Sequence, residues 1–374
     1  MAESLPVAII GTGKRSVYMY APIIKALGDR IRLVGVWGRS EESARSLGEQ
    51  LGVAWFTDMD RLVREAKPVI GIVCVKRPAN GPVAKAALEH GINVLVETPV
   101  AEEPAEADEL IAYARSHGLK IEVAEQFHRR PLEQIKLKLI ESGLFGRVYS
   151  SFSDFAGHGY HGVSVMRSYL GFDARPISVT GAVEEFPLAP HFAFNAGTFG
   201  PRSERQEHAL VRFEGGRIGV YHWTSVGYDS ALRWWRSSRF LAEKGMGISV
   251  GVGIEVQEQL TLLAPGGEGP RFITIQRVWE RCDGGALRAV KAHTGDPSMP
   301  ILEWENPFAA GKNGENVQWH DDEIGVAGCL MSLVDAVAKS IEPTYGPEQG
   351  RIDQAIVLAM LRSSEAGGAP MEVG

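Results

Sequence analysis

Between residues 6 and 127, short apolar runs alternate with helical patterns, and this alternation restricts the fold more than any other feature of the chain. "PVAIIGTG" (6–13), "IRLVGVWG" (31–38), "VIGIVCV" (69–75), "INVLVE" (92–97) and "KIEVAEQF" (120–127) are short and rich in β-branched residues. Runs of this kind read as strands buried on both faces, which is the habit of parallel sheets. Between them lie "YMYAPIIKALGD" (18–29), "SEESARSLGEQLG" (40–52), "PVAKAALEHG" (82–91) and "EPAEADELIAYARSHG" (103–118). Ser40 followed by Glu41 and Glu42 is a helix start. Strands alternating with helices predict a doubly wound parallel sheet, an α/β nucleotide-binding domain over 1–126.

The texture then changes. "PLEQIKLKLIESG" (131–143) and "HGVSVMRSYLG" (161–171) read as helices. "ISVTGAV" (177–183), "EHALVRF" (207–213), "RIGVYHWTSV" (217–226), "QLTLLA" (259–264) and "RFITIQRVW" (271–279) read as strands without helices between them. That pattern predicts an α+β domain over 127–374 with an open, largely antiparallel mixed sheet. The Gly-rich stretches 245–253 and 264–270 read as loops, and helices are expected around 322–340 and 348–366.

The 374 residues are 44% hydrophobic, enough for real cores, and carry a net charge of −7. No basic patch suits nucleic acid or an anionic membrane. The densest basic stretch, "LRWWRSSRF" (232–240), reads as a solvated edge strand. Cys74, Cys282 and Cys329 are scattered without metal-ligand spacing, so no metal is expected, and Cys74 reads as a small buried apolar residue. No basic segment leads into an apolar one at the N-terminus, and no apolar run approaches the ~18 residues of a membrane span. These features fit a reducing cytosol, and a cytoplasmic protein is expected.

The strand–turn–helix around "GTGKRS" places Gly11-x-Gly13-x-x-Ser16 where a dinucleotide pyrophosphate binds. The first glycine makes the tight turn, the second admits the pyrophosphate, and a small third residue packs helix on strand. Gly11, Thr12, Gly13, Arg15 and Ser16 are therefore expected to hold the cofactor beside a helix N-terminus. The plainer reading is a tight turn without a ligand. The second strand ends in Trp37-Gly38-Arg39-Ser40, with no carboxylate for a ribose 2′-hydroxyl. Arg39 can clamp a 2′-phosphate and Ser40 can donate to it, with Gly38 beneath, so NADP(H) is expected over NAD(H). Otherwise Arg39 is an exposed loop cation.

"AIIGTGKRS", "AALEHGINVLVETPVA", "PLEQIKLKLIESGLFGRV", "HGVSVMRSYLG" and "SSEAGGAPMEV" together resemble the glucose–fructose oxidoreductase / inositol dehydrogenase / rhizopine-catabolism oxidoreductase (Gfo/Idh/MocA) family along nearly the whole chain. The resemblance implies a Rossmann domain, then a sheet domain holding a sugar or cyclitol substrate, and a homodimer or homotetramer. It implies that Glu97 and Pro99 lie by the cofactor, with Pro99 in a strained or cis turn. The family's Glu-Lys-Pro lysine, which helps move the hydroxyl proton, is replaced by Thr98. Threonine is no base at neutral pH but can hold a hydroxyl by hydrogen bonding.

The family's Asp-x-x-x-His motif is placed by the Leu-Gly that ends the following helix. Counting back ten residues from Gly171 gives His161, and the aspartate position is Gly157. The resemblance thus assigns proton transfer to His161, with His158 nearby. Imidazole titrates near ~6.5, which suits acid/base work. Arg167 on the same helix is expected at the substrate. His128 and Arg129, with Glu125, end the domain-linking strand and are expected there too. His191 and the aromatics Trp223, Trp234 and Trp235 are candidates for a sugar platform or for a core or subunit interface, and at most one of Trp234 and Trp235 can face substrate.

Three readings stay open. The first is an NADP(H)-dependent oxidoreductase exchanging hydride with a small-molecule sugar, cyclitol or related alcohol/carbonyl compound. The second is a redox-assisted lyase or glycosidase that retains its cofactor. The third is a cofactor-binding sensor without chemistry, favoured by the losses at 98 and 157.

Overall fold

A computed structural model describes residues 4–155, 157–227, 229–233, 236–251, 257–280, 285–311 and 316–374. Strands β1 (Leu5–Ile10), β2 (Ile31–Trp37), β3 (Ala54–Phe56), β4 (Ile70–Val73), β5 (Asn93–Val96) and β6 (Ile121–Val123) form a parallel sheet in the order β3-β2-β1-β4-β5-β6. Helices α1 (Ala21–Ala26), α2 (Glu41–Leu51), α3 (Met59–Ala66), α4 (Asn80–Glu89) and α5 (Pro104–Ser116) connect them. Val7 to Ile10 and every residue of β4 and β5 are buried, the signature of a sheet covered on both faces. Ser40 caps α2 by accepting from the Ser43 N–H (3.3 Å), as its sequence position predicts. The reading along the chain had passed over β3 and α3. A three-residue strand shows no period, but Asp58, which caps α3 through the Arg61 N–H (2.8 Å), was an available signal.

The second sheet begins after α6 (Pro131–Glu141). It comprises β7 (Val148–Asp154), then after α7 (Tyr160–Leu170) strands β8 (Pro176–Ala193), β9 (Thr198–Phe213), β10 (Ile218–Thr224), β11 (Ser237–Ala242), β12 (Gly245–Val250), β13 (Gln257–Leu263), β14 (Pro270–Trp279), β15 (Leu287–Asp296) and β16 (Met299–Glu305). The order is β16-β15-β14-β13-β12-β11-β7-β10-β9-β8-β17, with β17 (Met371–Glu372) last. Among the described strand pairs of this sheet, β7 and β10 are parallel and the others antiparallel, as expected.

Three expectations are corrected here. The Gly-rich stretch at 245–250 is a strand. A Cβ at Gly247 would overlap the Phe240 ring, so that glycine marks close packing within a sheet rather than a loop. The basic stretch at 232–240 is not an edge: Ser237–Ala242 lies between β7 and β12, and the Arg239 guanidinium stacks on the Phe152 ring (3.8 Å). Finally, β8 continues to Ala193 through Pro187 and Pro190. Beyond Val179 its outer edge carries no strand among the described residues, so the missing N–H groups cost no ladder bond there.

Helices α8 (Asp321–Lys339) and α9 (Pro347–Glu365) match the expected patterns. The chain separates into two compact units: Met1–Arg130 with Trp279–Arg288 and Asn306–Arg351, and Pro131–Val278 with Ala289–Glu305 and Ile352–Gly374. The division expected at residue 126 is thus only the first of several crossings. In the first unit, α8 packs on β5 and β6, the far end of the parallel sheet.

Candidate active site

In the first unit, β1 ends in Gly11, whose N–H donates to the Trp37 carbonyl (2.9 Å). Gly11 has φ +127°, and a Cβ there would overlap the Cys74 carbonyl oxygen, so only glycine makes this turn. Around Gly13 a Cβ would meet nothing within 4 Å, which leaves its backbone open to a ligand's close approach. Ser16 is fully buried and its hydroxyl donates to the Gly11 carbonyl (2.9 Å). It begins a π-helical turn, Ser16–Tyr20, that runs into α1. A Cβ at Gly38 would come within 2.7 Å of the Thr12 methyl, so the ends of β1 and β2 meet closely. This glycine-lined cradle fits a dinucleotide pyrophosphate, with no side chain in its way.

Arg39 is exposed and makes no hydrogen bond or ion pair among the described residues. The neighbouring Glu41 is drawn along α2 to Arg45.

Arg15 and Glu97, placed separately beside the cofactor, form an ion pair, and the Tyr20 hydroxyl donates to the same carboxylate. Burial opposes the Arg15 charge, but the Glu97 carboxylate outweighs it and holds the guanidinium protonated well above its usual range. Burial, then Glu97, pushes the Tyr20 phenol up as well. Burial with Glu97 raises the Cys74 thiol to about 11, which keeps it an inert apolar residue. The Thr98–Pro99 peptide is cis, and the Asn80 amide donates to the carbonyls of Glu97 (3.0 Å) and Pro99 (3.3 Å), holding half-buried Thr98 between them.

Two expected substrate contacts in this unit are corrected. Arg129 pairs with buried Glu122 and donates to Thr344 Oγ1 (2.8 Å) and the Gly328 carbonyl (3.3 Å). These partners hold the guanidinium inside the first unit. His128 is buried with its ring against Tyr345 (4.9 Å between centroids), and Glu125 accepts from the Phe127 N–H (3.0 Å).

In the second unit, α7 starts at a cluster of rings. His158 lies edge-to-face on His161 (4.7 Å, 89°), Tyr160 flanks His161 (4.7 Å), and Trp223 approaches His158 (6.2 Å). His161 is only 8% exposed, and its N–H donates to the His158 carbonyl (3.0 Å). The structure therefore brings both predicted histidines together. It also shows why residue 157 is glycine: a Cβ would lie 2.8 Å from the His161 Cβ and 2.9 Å from the Gly162 nitrogen.

Arg167 is corrected too. It is fully buried in an ion pair with Asp353 (2.6 Å) and reaches the Phe172 carbonyl (3.3 Å), so it ties α7 to α9. His191 binds the Ala189 carbonyl on the β8–β9 hairpin (2.9 Å), apart from this cluster in sequence and strand. Trp234, Trp235 and Cys282 lie outside the described residues. The sequence reading missed Tyr160 and Tyr221, although each adjoins a histidine it had quoted.

Residues 5–125 match the family described as "Oxidoreductase family, NAD-binding Rossmann fold". Over that first third of the chain the sequence is thus similar to the Gfo/Idh/MocA oxidoreductase family. D-glucoside 3-dehydrogenase of Escherichia coli is 30% identical over 151 residues, 40% of this chain and 42% of that protein. The 2,7-anhydro-N-acetylneuraminate hydratase of Mediterraneibacter gnavus is 29% identical over 144 residues, 38% of this chain and 37% of that protein. The aligned portions thus span well under half of these two relatives' length. An NAD binding oxidoreductase from Klebsiella pneumoniae has the same fold over 100% of both chains, with a TM-score of 0.73 at 16% identity.

Proposed function

We propose that this chain is a member of the Gfo/Idh/MocA family and an NAD(P)-dependent dehydrogenase or reductase of a sugar, cyclitol or related alcohol/carbonyl compound, with NADP(H) preferred. When bound, the cofactor supplies the hydride acceptor or donor at its nicotinamide carbon. The chain's part is to bind, to orient and to handle the proton. Gly11, Thr12, Gly13 and Ser16 hold the pyrophosphate by backbone approach and a helix N-terminus. Arg15, fixed by Glu97, adds a positive charge to that cradle. Arg39 clamps the 2′-phosphate and Ser40 supports it. Thr98, held by its cis turn, donates to or accepts from the reacting oxygen. His161 takes the hydroxyl proton in oxidation and returns it in reduction, with His158 as its neighbour in the exchange. Tyr160 and Trp223 offer flat faces to the C–H side of a sugar ring. We further propose a homodimer or homotetramer in the cytoplasm.

The observation that carries the cofactor reading is the uncommitted Arg39 at the end of β2, where no carboxylate stands. The test is a fluorescence titration with NADPH and NADH on the purified protein and on Arg39→Ala. NADPH binding at least about tenfold tighter, a preference that collapses in the variant, supports the reading. Equal affinities in the wild type overturn the NADP(H) preference, and no binding of either nucleotide overturns the redox function.

The relative named a hydratase favours keeping one second reading. In that reading, a redox-assisted lyase or glycosidase, a retained cofactor would take hydride from a substrate hydroxyl carbon and give it back within each turnover, so that the net reaction would add or remove a small molecule. Product formed without net change in nicotinamide absorbance selects it over the dehydrogenase.

A further inference from the structure

Among the described residues, the loop that carries His158 into His161 is held from below by one phenol. Tyr221, on β10, is 1% exposed. Its hydroxyl oxygen accepts from the Gly159 N–H (2.6 Å), and its O–H donates to Glu207 Oε2 on β9 (3.0 Å). The other Glu207 oxygen is paired with Arg205. The loop is equally fixed from the side. Gly159 has φ +46°, and a Cβ at Gly162 would lie 2.7 Å from the Tyr221 ring and overlap the Gly157 carbonyl. The His161 N–H closes back on the His158 carbonyl (3.0 Å).

In the family motif an aspartate four residues before the histidine helps arrange the site. In this chain that position is Gly157, and the backbone leaves no room for a side chain there. We infer that Glu207 and Tyr221 take over the arranging duty: they are positioning residues that fix the Gly157–Gly159 loop, and through it the orientation of His158 and His161. The inference rests on the proton-transfer role proposed for His161. Its physical basis is that Tyr221 is buried and uses its hydroxyl both as acceptor from Gly159 and as donor to the Glu207 carboxyl group. Losing it would free a part-buried loop N–H at the point where α7 begins. Small misplacements of a reacting group are costly in rate, which is why a contact one residue away from the imidazole counts.

The test uses the full chain carrying Tyr221→Phe, Glu207→Gln and Glu207→Leu. In turnover with the sugar or cyclitol found for the wild type, Tyr221→Phe and Glu207→Leu should lower kcat about tenfold to a hundredfold, with a much smaller change in KM and with NAD(P)H affinity unchanged. Glu207→Gln keeps an acceptor for the phenol and should retain most of the rate. A second readout needs no substrate. With ring-labelled histidine, assigned by His158→Asn and His161→Asn, Tyr221→Phe should move the imidazole resonances and titration of His158 and His161 and leave His90 and His117 in place. If those resonances superimpose on the wild type, the positioning role is overturned, whatever the chemistry. If they move but no polyol or ketose turns over, the positioning stands and the proton-transfer reading falls. Should Tyr221→Phe not fold, Glu207→Leu against Glu207→Gln carries the same comparison, and equal behaviour of those two overturns the inference.

Discussion

At position 157 the absence of a side chain is a requirement of the backbone, since a Cβ there would lie 2.8 Å from that of His161. Restoring the family's aspartate by Gly157→Asp should therefore lower stability by about 1–3 kcal/mol, as overpacking does, and should not raise turnover. Thermal unfolding and steady-state rates check both, and a stable, faster Gly157→Asp enzyme would refute the account of the loop. The residues legible in the sequence were those whose duty is local. Gly11, Gly13 and Ser16 announce their turn by spacing, and His158 and His161 lie three apart where a loop enters α7. Arg167 gave no sign of its ion pair, because its partner is distant. Asp353 stands 186 residues from Arg167, and no local pattern reports such a pairing.

Elements carry the consequences of those pairings. Arg167 on α7 and Asp353 on α9 are 0% and 1% exposed, so breaking the pair strands a charge in the interior. Asp353→Ala or Arg167→Ala should each cost about 3–5 kcal/mol, while a double replacement by apolar residues of similar volume should recover most of the loss. Urea midpoints of the three variants test this, and a double variant as unstable as the singles would show that the pair contributes more than mutual neutralisation. On β6, burial pushes the Glu122 carboxyl up to about 7, against the pull of Arg129. The folded group then holds a proton that the unfolded one, titrating near 4.5, has released. Its contribution to stability is full below about pH 4.5 and is lost as the pH rises through about 7. Glu122→Gln should flatten that part of the stability profile, and an unchanged slope between those values would count against the raised carboxyl. Element recognition succeeded where period and length agree, as in α2, α5 and β10. It failed at β12, where Gly245 and Gly247 looked like loop residues but are glycines because neighbouring strands and the Phe240 ring leave no space.

At the largest scale, the second unit's sheet has one partly open face among the described residues. Along β9, β10 and β11 the residues facing α7 are buried, whereas those of opposite parity, Leu210, Val220 and Arg239, line an open groove of about 620 Å³ with Phe152 and Ile248. Farther across the sheet Phe272 is 69% exposed, and Leu263 and Ile301 are about half exposed. Exposed apolar residues on one sheet face suit association, and we propose that a second copy of this chain covers them. His208 and His222 stack within the groove (4.0 Å), and His222 is paired with Asp154 (2.9 Å). Burial and the neighbouring His222 both lower the pKa of His208, so at neutral pH the groove adds little net charge to resist contact. Sedimentation of the wild type should give a dimer or tetramer, and Leu210→Glu combined with Phe272→Glu should give a monomer. Because both substitutions sit in the second unit's sheet and the pyrophosphate cradle in the first unit, NADPH affinity should be unchanged in that monomer. A wild type that sediments as a monomer at every concentration, or a charged variant that keeps its mass, would remove this face as the site of assembly. The partly open face would then have to be explained by a partner other than a second copy.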